Sequence, residues 1–355
     1  MIRIRMRTLL SVVGVVVLAA IVAAGVTLGV LRLDSRTNSP SVDLQPGTTI
    51  SEDSAIVQAA AHARPAVVSV VTALEPQLQS GSGYLVTSDG YIVTDVGVIA
   101  GAGSITVIVA GDSKLHNARL VDYDCQTAVA VLKIDQVSGL PTLAFGDPSA
   151  VQSGQPVVAV AGPLQGGSVT RGIVSALHRE ATIPDPAAPE RNIEISDTIQ
   201  TDAAIDSGTA GGPLVNIQAQ VIGVAMPGPG GAGGYGLNAA DIQDDVQQVL
   251  QTGQVTVPSI GAAVSDLSPE VSALRNLPEG ALIDSTATDG AASAAGLQVG
   301  DVITALDEVK VDGAHPLTLL LRSQFHVGQR VTITYTRSGQ SAQIQLTLTG
   351  EHPAC

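Results

Sequence analysis

The sequence predicts a mostly-β fold, and three observations carry that expectation. Short runs rich in Val, Ile and Thr recur with turn residues between them. Glycine is frequent, at 38 residues. Aromatic residues make up only 2%, with no Trp, so Ala, Val, Leu and Ile must fill the interior. Such runs, punctuated by tight turns, indicate sandwiches or barrels. A chain of 355 residues that is 45% apolar has material for two ordinary domains.

The first element is not β. Residues 8–31, TLLSVVGVVVLAAIVAAGVTLGVL, carry no charge. As a helix this run would be about 36 Å long, enough to cross a ~30 Å hydrocarbon core with some tilt. Arg3, Arg5 and Arg7 precede it, which places the N-terminus in the cytoplasm and the bulk of the chain outside. A cleaved signal peptide is the alternative: Val22-Ala23-Ala24 offers a weak small-residue site, although such apolar regions usually run only ~7–15 residues. The expectation is a basic start and transmembrane anchor over 1–32, then a tether rich in Ser, Thr and Pro over 33–53.

The formal net charge is −15. Arg3, Arg5, Arg7 and Arg32 are the only charges in the first 32 residues, so the remainder holds 13 basic residues against 32 acidic ones. A body so acidic excludes nucleic-acid binding through phosphate contacts. The two cysteines, Cys125 and Cys355, can pair with each other, pair between chains, or stay free outside the cytoplasm. No metal or cofactor motif is visible.

Strand-like runs follow at 66–72 (AVVSVVT), 82–94 (SGYLVTSDGYIVT), 104–111, 128–134 (AVAVLKI), 156–162, 172–177 and 221–226. Asp89-Gly90 marks a hairpin within the second. Over 240–250 the apolar residues Ile242, Val246, Val249 and Leu250 fall at helical spacing, and Gly253 is a stop signal. The spacing predicts one domain over 54–252 and a second over 256–350, with a tail at 351–355. Within the second, 290–313 reads as a short helix, a turn and two strands; 316–324 as a helix; 331–337 and 342–348 as a closing hairpin.

Several stretches carry a family resemblance: SGSGYLVTSDGYIVT (80–94), VTRGIVSAL (169–177), DTIQTDAAI (197–205), AGGPLVN (210–216) and SAAGLQVGDVI (293–303). In this order they resemble the HtrA-type (DegP/DegS-like) proteins. The resemblance implies a chymotrypsin-like double β-barrel followed by one PDZ domain, and a possible homotrimer. It also locates three catalytic positions, in the order His, Asp, Ser. The histidine position falls on Gly97 in TDVGV, the aspartate position on Ala128 in TAVAVLK, and the serine position on Ala210 in DSGTAGGPL. None of the six histidines (His62, His116, His178, His315, His326, His352) matches a catalytic position.

A serine protease needs a nucleophilic hydroxyl, an imidazole to take its proton and a carboxylate to orient that imidazole. Without the triad such a site keeps at most ~10³–10⁴-fold over water, against the roughly 10⁶–10¹⁷ of working enzymes. The expectation is therefore a pseudoprotease, not an enzyme: a membrane-anchored, extracytoplasmic peptide-binding scaffold, adaptor or sensor. The alternative is an active endopeptidase of envelope protein quality control that uses another nucleophile. Two further features concern binding. The backbone N–H groups of Gly208 and Ala210 stand where the family forms its oxyanion hole. The resemblance also puts Ser259, Ile260, Gly261 and Ala262 on the loop that holds a ligand's terminal carboxylate, with protein C-termini or extended peptides as partners. Ser259 replaces an aromatic residue of the family pattern, and Ala262 a larger apolar one.

Overall fold

β-Branched residues dominate the runs from Val67 onward, and they pair into closed barrels because an apolar strand needs both neighbours satisfied. The computed structural model describes residues 17–22, 52–74, 77–184, 192–228, 233–313 and 315–353. The chain divides into two units, Met1–Ile50 and Ser51–Cys355. In the first, residues 17–22 are helical and exposed. Among the described residues no helix is long and apolar enough to cross a membrane; the rest of the apolar run 8–31, and the expected tether over 33–51, lie outside them.

The second unit opens with helix α1 (Glu52–Ala63), which takes in the last two residues of the expected tether. It buries Ala59, Ala60 and Ala63. Just past it, the Arg64 guanidinium donates to the carbonyls of Gly166 and Gly167. The first barrel comprises β1 (Val67–Leu74), β2 (Gln77–Leu85), β3 (Tyr91–Asp95), β4 (Ser104–Val109), β5 (Leu115–Asp124) and β6 (Val129–Ile134), with the short helix α2 (Val96–Ile99) after β3. It closes in the order β1-β2-β3-β6-β5-β4. The Asp89-Gly90 turn joins β2 to β3; Gly90 has φ +102°, and a Cβ there would stand 2.6 Å from the Ile134 carbonyl. β6 is buried along its whole length, Lys133 included, and the Lys133 ammonium is satisfied by the carbonyls of Asp89 and Ile134.

The second barrel comprises β7 (Pro156–Val160), β8 (Val169–Pro184), β9 (Asn192–Thr201), β10 (Pro213–Val215), β11 (Val221–Pro227) and β12 (Gly234–Asn238). It closes as β10-β11-β12-β9-β8-β7. The two six-stranded barrels are the expected double β-barrel. Helix α3 (Ala239–Thr252) follows, capped by the Asn238 side chain and ended by Gly253 at φ +83°. Its stripe of Ile242, Val246 and Val249 joins Val67, Tyr84, Val158, Val224 and Leu237 in one core.

The remaining residues build a smaller sheet: β13 (Val257–Ser259), β14 (Ala262–Leu267), helix α4 (Pro269–Arg275), β15 (Gly280–Thr286), helix α5 (Ala291–Ala295), β16 (Val302–Leu306), β17 (Val309–Lys310), helix α6 (Leu317–Gln324), β18 (Arg330–Arg337), β19 (Gln340–Thr347) and β20 (Thr349–Glu351). The main order is β14-β15-β16-β18-β19, with β17 on β16; β13 and β20 form a separate pair. β18 shows the period-2 alternation that a half-buried strand requires: Val331, Ile333 and Tyr335 point inward, with Leu320, Leu321 and Phe325 beside them in the core.

An ion cluster ties this sheet to the barrels. Arg322 on α6 donates to Asp124 Oδ2 at 2.5 Å and to Asp245 Oδ1 at 2.8 Å. Thr127 Oγ1 donates to the other oxygen of Asp245 at 2.9 Å. Both aspartates are buried, and one guanidinium faces both. Burial pushes the Asp245 carboxyl up to about 8 in spite of the arginine. Arg322→Ala strands buried carboxylates without their cation, which typically costs about 3–5 kcal/mol. Because Asp245 binds its proton more tightly folded than unfolded, its ionisation works against the fold as pH rises from the ordinary carboxylate range toward 8. Arg322→Ala should therefore lower the thermal midpoint, and by more at pH 8 than at pH 5, as followed by circular dichroism at both pH values.

Candidate functional site

The loop carrying Ala210 is built by glycine. Gly211 has φ +80°, and a Cβ there would lie 2.3 Å from Thr94 Oγ1 and 2.4 Å from the Ser82 carbonyl. Only glycine lets the loop lie this close to β2 and β3. Ser82 fastens it: its N–H donates to the Ala210 carbonyl at 2.8 Å, and its Oγ donates to the Gly208 carbonyl at 2.6 Å. Ser82 Oγ in turn accepts from the Gly162 N–H. The Val96 N–H donates to the Ala128 carbonyl at 2.9 Å, next to Gly97. The structure thus brings Gly97, Ala128 and Ala210 to one place, where the two barrels meet.

Their surroundings differ. Gly97 is exposed, and the nearest atom to a Cβ built on it is Asp95 Oδ1 at 3.4 Å, an ordinary contact. Ala128 is fully buried with φ +57°, a left-handed conformation that Asp and Asn tolerate better than alanine. Ala210 is buried among Val98 and its neighbours. Asp95, which composition and motif did not single out, caps α2 by accepting the Gly97 N–H at 2.8 Å. Burial pushes its carboxyl up to about 6, and the Gly97 hydrogen bond opposes that rise.

The two N–H groups of interest turn away from the cleft. The Ala210 N–H donates to the Asp206 carbonyl at 2.9 Å, so residues 206–210 make one helical turn. Asp206 Oδ1 accepts from Thr209 Oγ1 and from the Thr209 N–H, each at 2.8 Å. These bonds, led by the Thr209 hydroxyl and with the Gly208 N–H adding a smaller part, hold the Asp206 carboxyl below its usual range. The Ala210 N–H is thus spent on a backbone carbonyl of its own loop, and the Gly208 N–H on the Asp206 carboxylate.

Hydroxyls in the cleft are engaged or peripheral. Ser82 and Thr94 are buried and hydrogen-bonded; Ser207 is exposed on the loop itself. The histidine side chains face elsewhere: His116 pairs with Asp112, His178 with Asp197, His315 with Asp312 and His352 with Asp122. Among the described residues no group of His, Cys, Asp and Glu could hold a metal ion.

A second site lies on the smaller sheet. β14 is an edge strand, paired with β15 on one side only, and α6 stands along its open edge. Between them runs a groove of about 390 Å³, lined by Ser259, Ile260, Ala262, Val264, Leu317 and Leu321. Ser259, Ile260 and Gly261 form the bend at its head. Gly261 has φ +72°, and its carbonyl accepts from the Ala287 N–H while that of Ile260 accepts from Ala292. A Cβ on Gly261 would meet the Ala291 nitrogen at 2.9 Å.

Comparisons with known proteins agree with this architecture. The trypsin-like peptidase domain matches residues 81–224 and the PDZ domain matches 258–348. Serine protease PepD of Mycobacterium tuberculosis is 30% identical over 347 residues, covering 92% of this chain and 71% of that protein. A probable periplasmic serine endoprotease, DegP-like, of Halomonas elongata is 36% identical over 287 residues, covering 79% of this chain and 58% of that protein. The chain spans little more than half the length of that relative and of the DegP-like proteins of Chlamydia. Among solved structures, the HtrA-type protease AlgW with a decapeptide matches with a TM-score of 0.66 at 27% identity, covering 84% of this chain and 99% of that one.

The expectation that the chain is not an enzyme is corrected by these relatives, which are named as serine proteases and endoproteases. The physical reason is one of scope. Gly97, Ala128 and Ala210 exclude a proton relay through those three positions. They do not speak for hydroxyls elsewhere on the same loop.

Gly261→Val forces a β-branched residue into a left-handed bend against backbone. It should destabilise the chain by about 1–2 kcal/mol, seen as a lower thermal midpoint, while the circular dichroism of the barrels at 20 °C stays unchanged.

Proposed function

Because the chain belongs to the HtrA-type (DegP-like) serine proteases, we propose that it acts on protein chains in the cell envelope, outside the cytoplasm, and takes hold of their C-terminal ends in the groove between β14 and α6. The observation that supports this reading is the open edge of β14 beside a glycine bend. An added strand can pair with such an edge, and backbone N–H groups at the bend can hold its terminal carboxylate. Small Ala262 at the head of the groove favours a broad choice of end residue. The charge-free run 8–31, behind its three arginines, supports a single membrane anchor; a homotrimer through the barrels belongs to the same proposal.

Peptide-bond cleavage is the activity carried in the relatives' names. In this chain it would run through a hydroxyl other than position 210, and Ser207 is the exposed one on the same loop. A fluorophosphonate probe and unfolded casein test it. Turnover lost in Ser207→Ala assigns cleavage to that residue; turnover that survives the change assigns it to another hydroxyl. The absence of both turnover and adduct would overturn the cleavage reading and confine the chain to capture.

Capture has its own measurement. Loss of a charge-assisted hydrogen-bond partner costs about 1.5–3 kcal/mol, or roughly 10–150-fold in affinity. Amidating the C-terminus of a bound peptide should weaken binding by that factor in a fluorescence titration. Internal segments that bind as tightly as free ends would overturn the carboxylate-anchored mechanism.

A further inference from the structure

The head of the groove is already in contact with the chain's own C-terminal segment. β20 pairs antiparallel with β13, setting Val257 opposite Glu351 and Ser259 opposite Thr349. Ser259 Oγ donates to Glu351 Oε2 at 2.5 Å and accepts from the Gly261 N–H at 2.9 Å. The Gly261 N–H therefore has a partner, and a carboxylate already stands at the bend. A ligand's terminal carboxylate would meet both a spent donor and a like charge. Glu351, His352 and Pro353 all line the groove.

The same segment is fastened to the first barrel. His352 Nε2 lies 2.8 Å from Asp122 Oδ1, and its ring packs edge-on against Tyr123 at 5.6 Å between centroids. Pro353 is buried. Immediately after Tyr123-Asp124 and two residues past Pro353 the sequence places its only cysteines, Cys125 and Cys355. Cys125 is disulfide-bonded and buried. Cys355 lies outside the described residues, and it is the only other cysteine the chain has.

We propose that residues 351–353 form a strap across the head of the peptide groove, that the disulfide of Cys125 is made with Cys355, the other cysteine of the sequence, and locks the strap, and that reduction by a dithiol opens the groove to chain ends. This rests on the groove being the chain-end site. In the reductive step one thiolate of the dithiol attacks a sulfur of the disulfide, and the other sulfur leaves as a thiolate and takes up a proton. The second thiol of the reductant then displaces the mixed disulfide. Two electrons and two protons pass to the protein, which ends with two free thiols, and the reductant ends as a cyclic disulfide. The strap needs no great intrinsic affinity. Tethering gives it an effective concentration near millimolar, against which a free peptide at micromolar concentration competes poorly.

The test uses the full chain in detergent and an array of decapeptides with free C-termini, read before and after dithiothreitol. Reduction should raise retention by about tenfold or more, and Cys355→Ser should show the raised level without reductant. Glu351→Gln, which keeps the disulfide, should give part of the increase. Gly261→Val should abolish retention in every state, which assigns the signal to the groove. Equal retention by the oxidised, reduced and Cys355→Ser proteins, still sensitive to Gly261→Val, would overturn the strap and leave the chain-end site standing. No retention in any state, including a chain ending at Gly350, would overturn the chain-end site itself.

Discussion

The Arg322 guanidinium reaches from α6 to carboxylates on two other elements, and the placement of the groove follows from that reach. Asp124 closes β5 of the first barrel and Asp245 lies in the buried stripe of α3. Two buried carboxylates cannot both ionise without a cation, and a planar fork serves two acceptors at once where an ammonium would serve them less well. The helix that carries the fork is also one wall of the groove. Barrel, helix and peptide site therefore share one electrostatic fastening, and a shift at any of its three members is felt at the other two.

Much of this architecture was legible in the residues. The runs at 66–72 and 128–134 became β1 and β6, the helical spacing at 240–250 became α3, and the closing hairpin became β18 and β19. Local pattern carries such elements because burial repeats within a few residues. β5 escaped notice because LHNARLVDYD alternates weakly and is mostly half-exposed. Helix α1 escaped because its buried face is alanine, which carries little apolar contrast. The 16-residue β8 exceeded the six residues its apolar core suggested, since its far half is held by pairing with β9 rather than by hydrophobicity.

The candidate sites divide in the same way. That side chains are missing at 97, 128 and 210 is plain from the letters. That the Ala210 N–H turns toward Asp206 is a backbone choice that glycine-rich sequence permits but does not dictate. The contact between Ser259 and Glu351 spans 92 residues and the one between His352 and Asp122 spans 230. No periodicity reports pairs so distant, because they exist only once two separately folded elements have met.

Helix α1 has a mechanical side. A pull on the chain ahead of Glu52 would first load the shallow alanine face of α1, and then the three hydrogen bonds by which Arg64 grips the turn between β7 and β8. Only beyond these does Val67 enter a closed barrel. Force delivered from the N-terminal side would thus be spent in shear on a peelable helix, and both barrels would be shielded behind a fuse that can slip and re-seat without unfolding them.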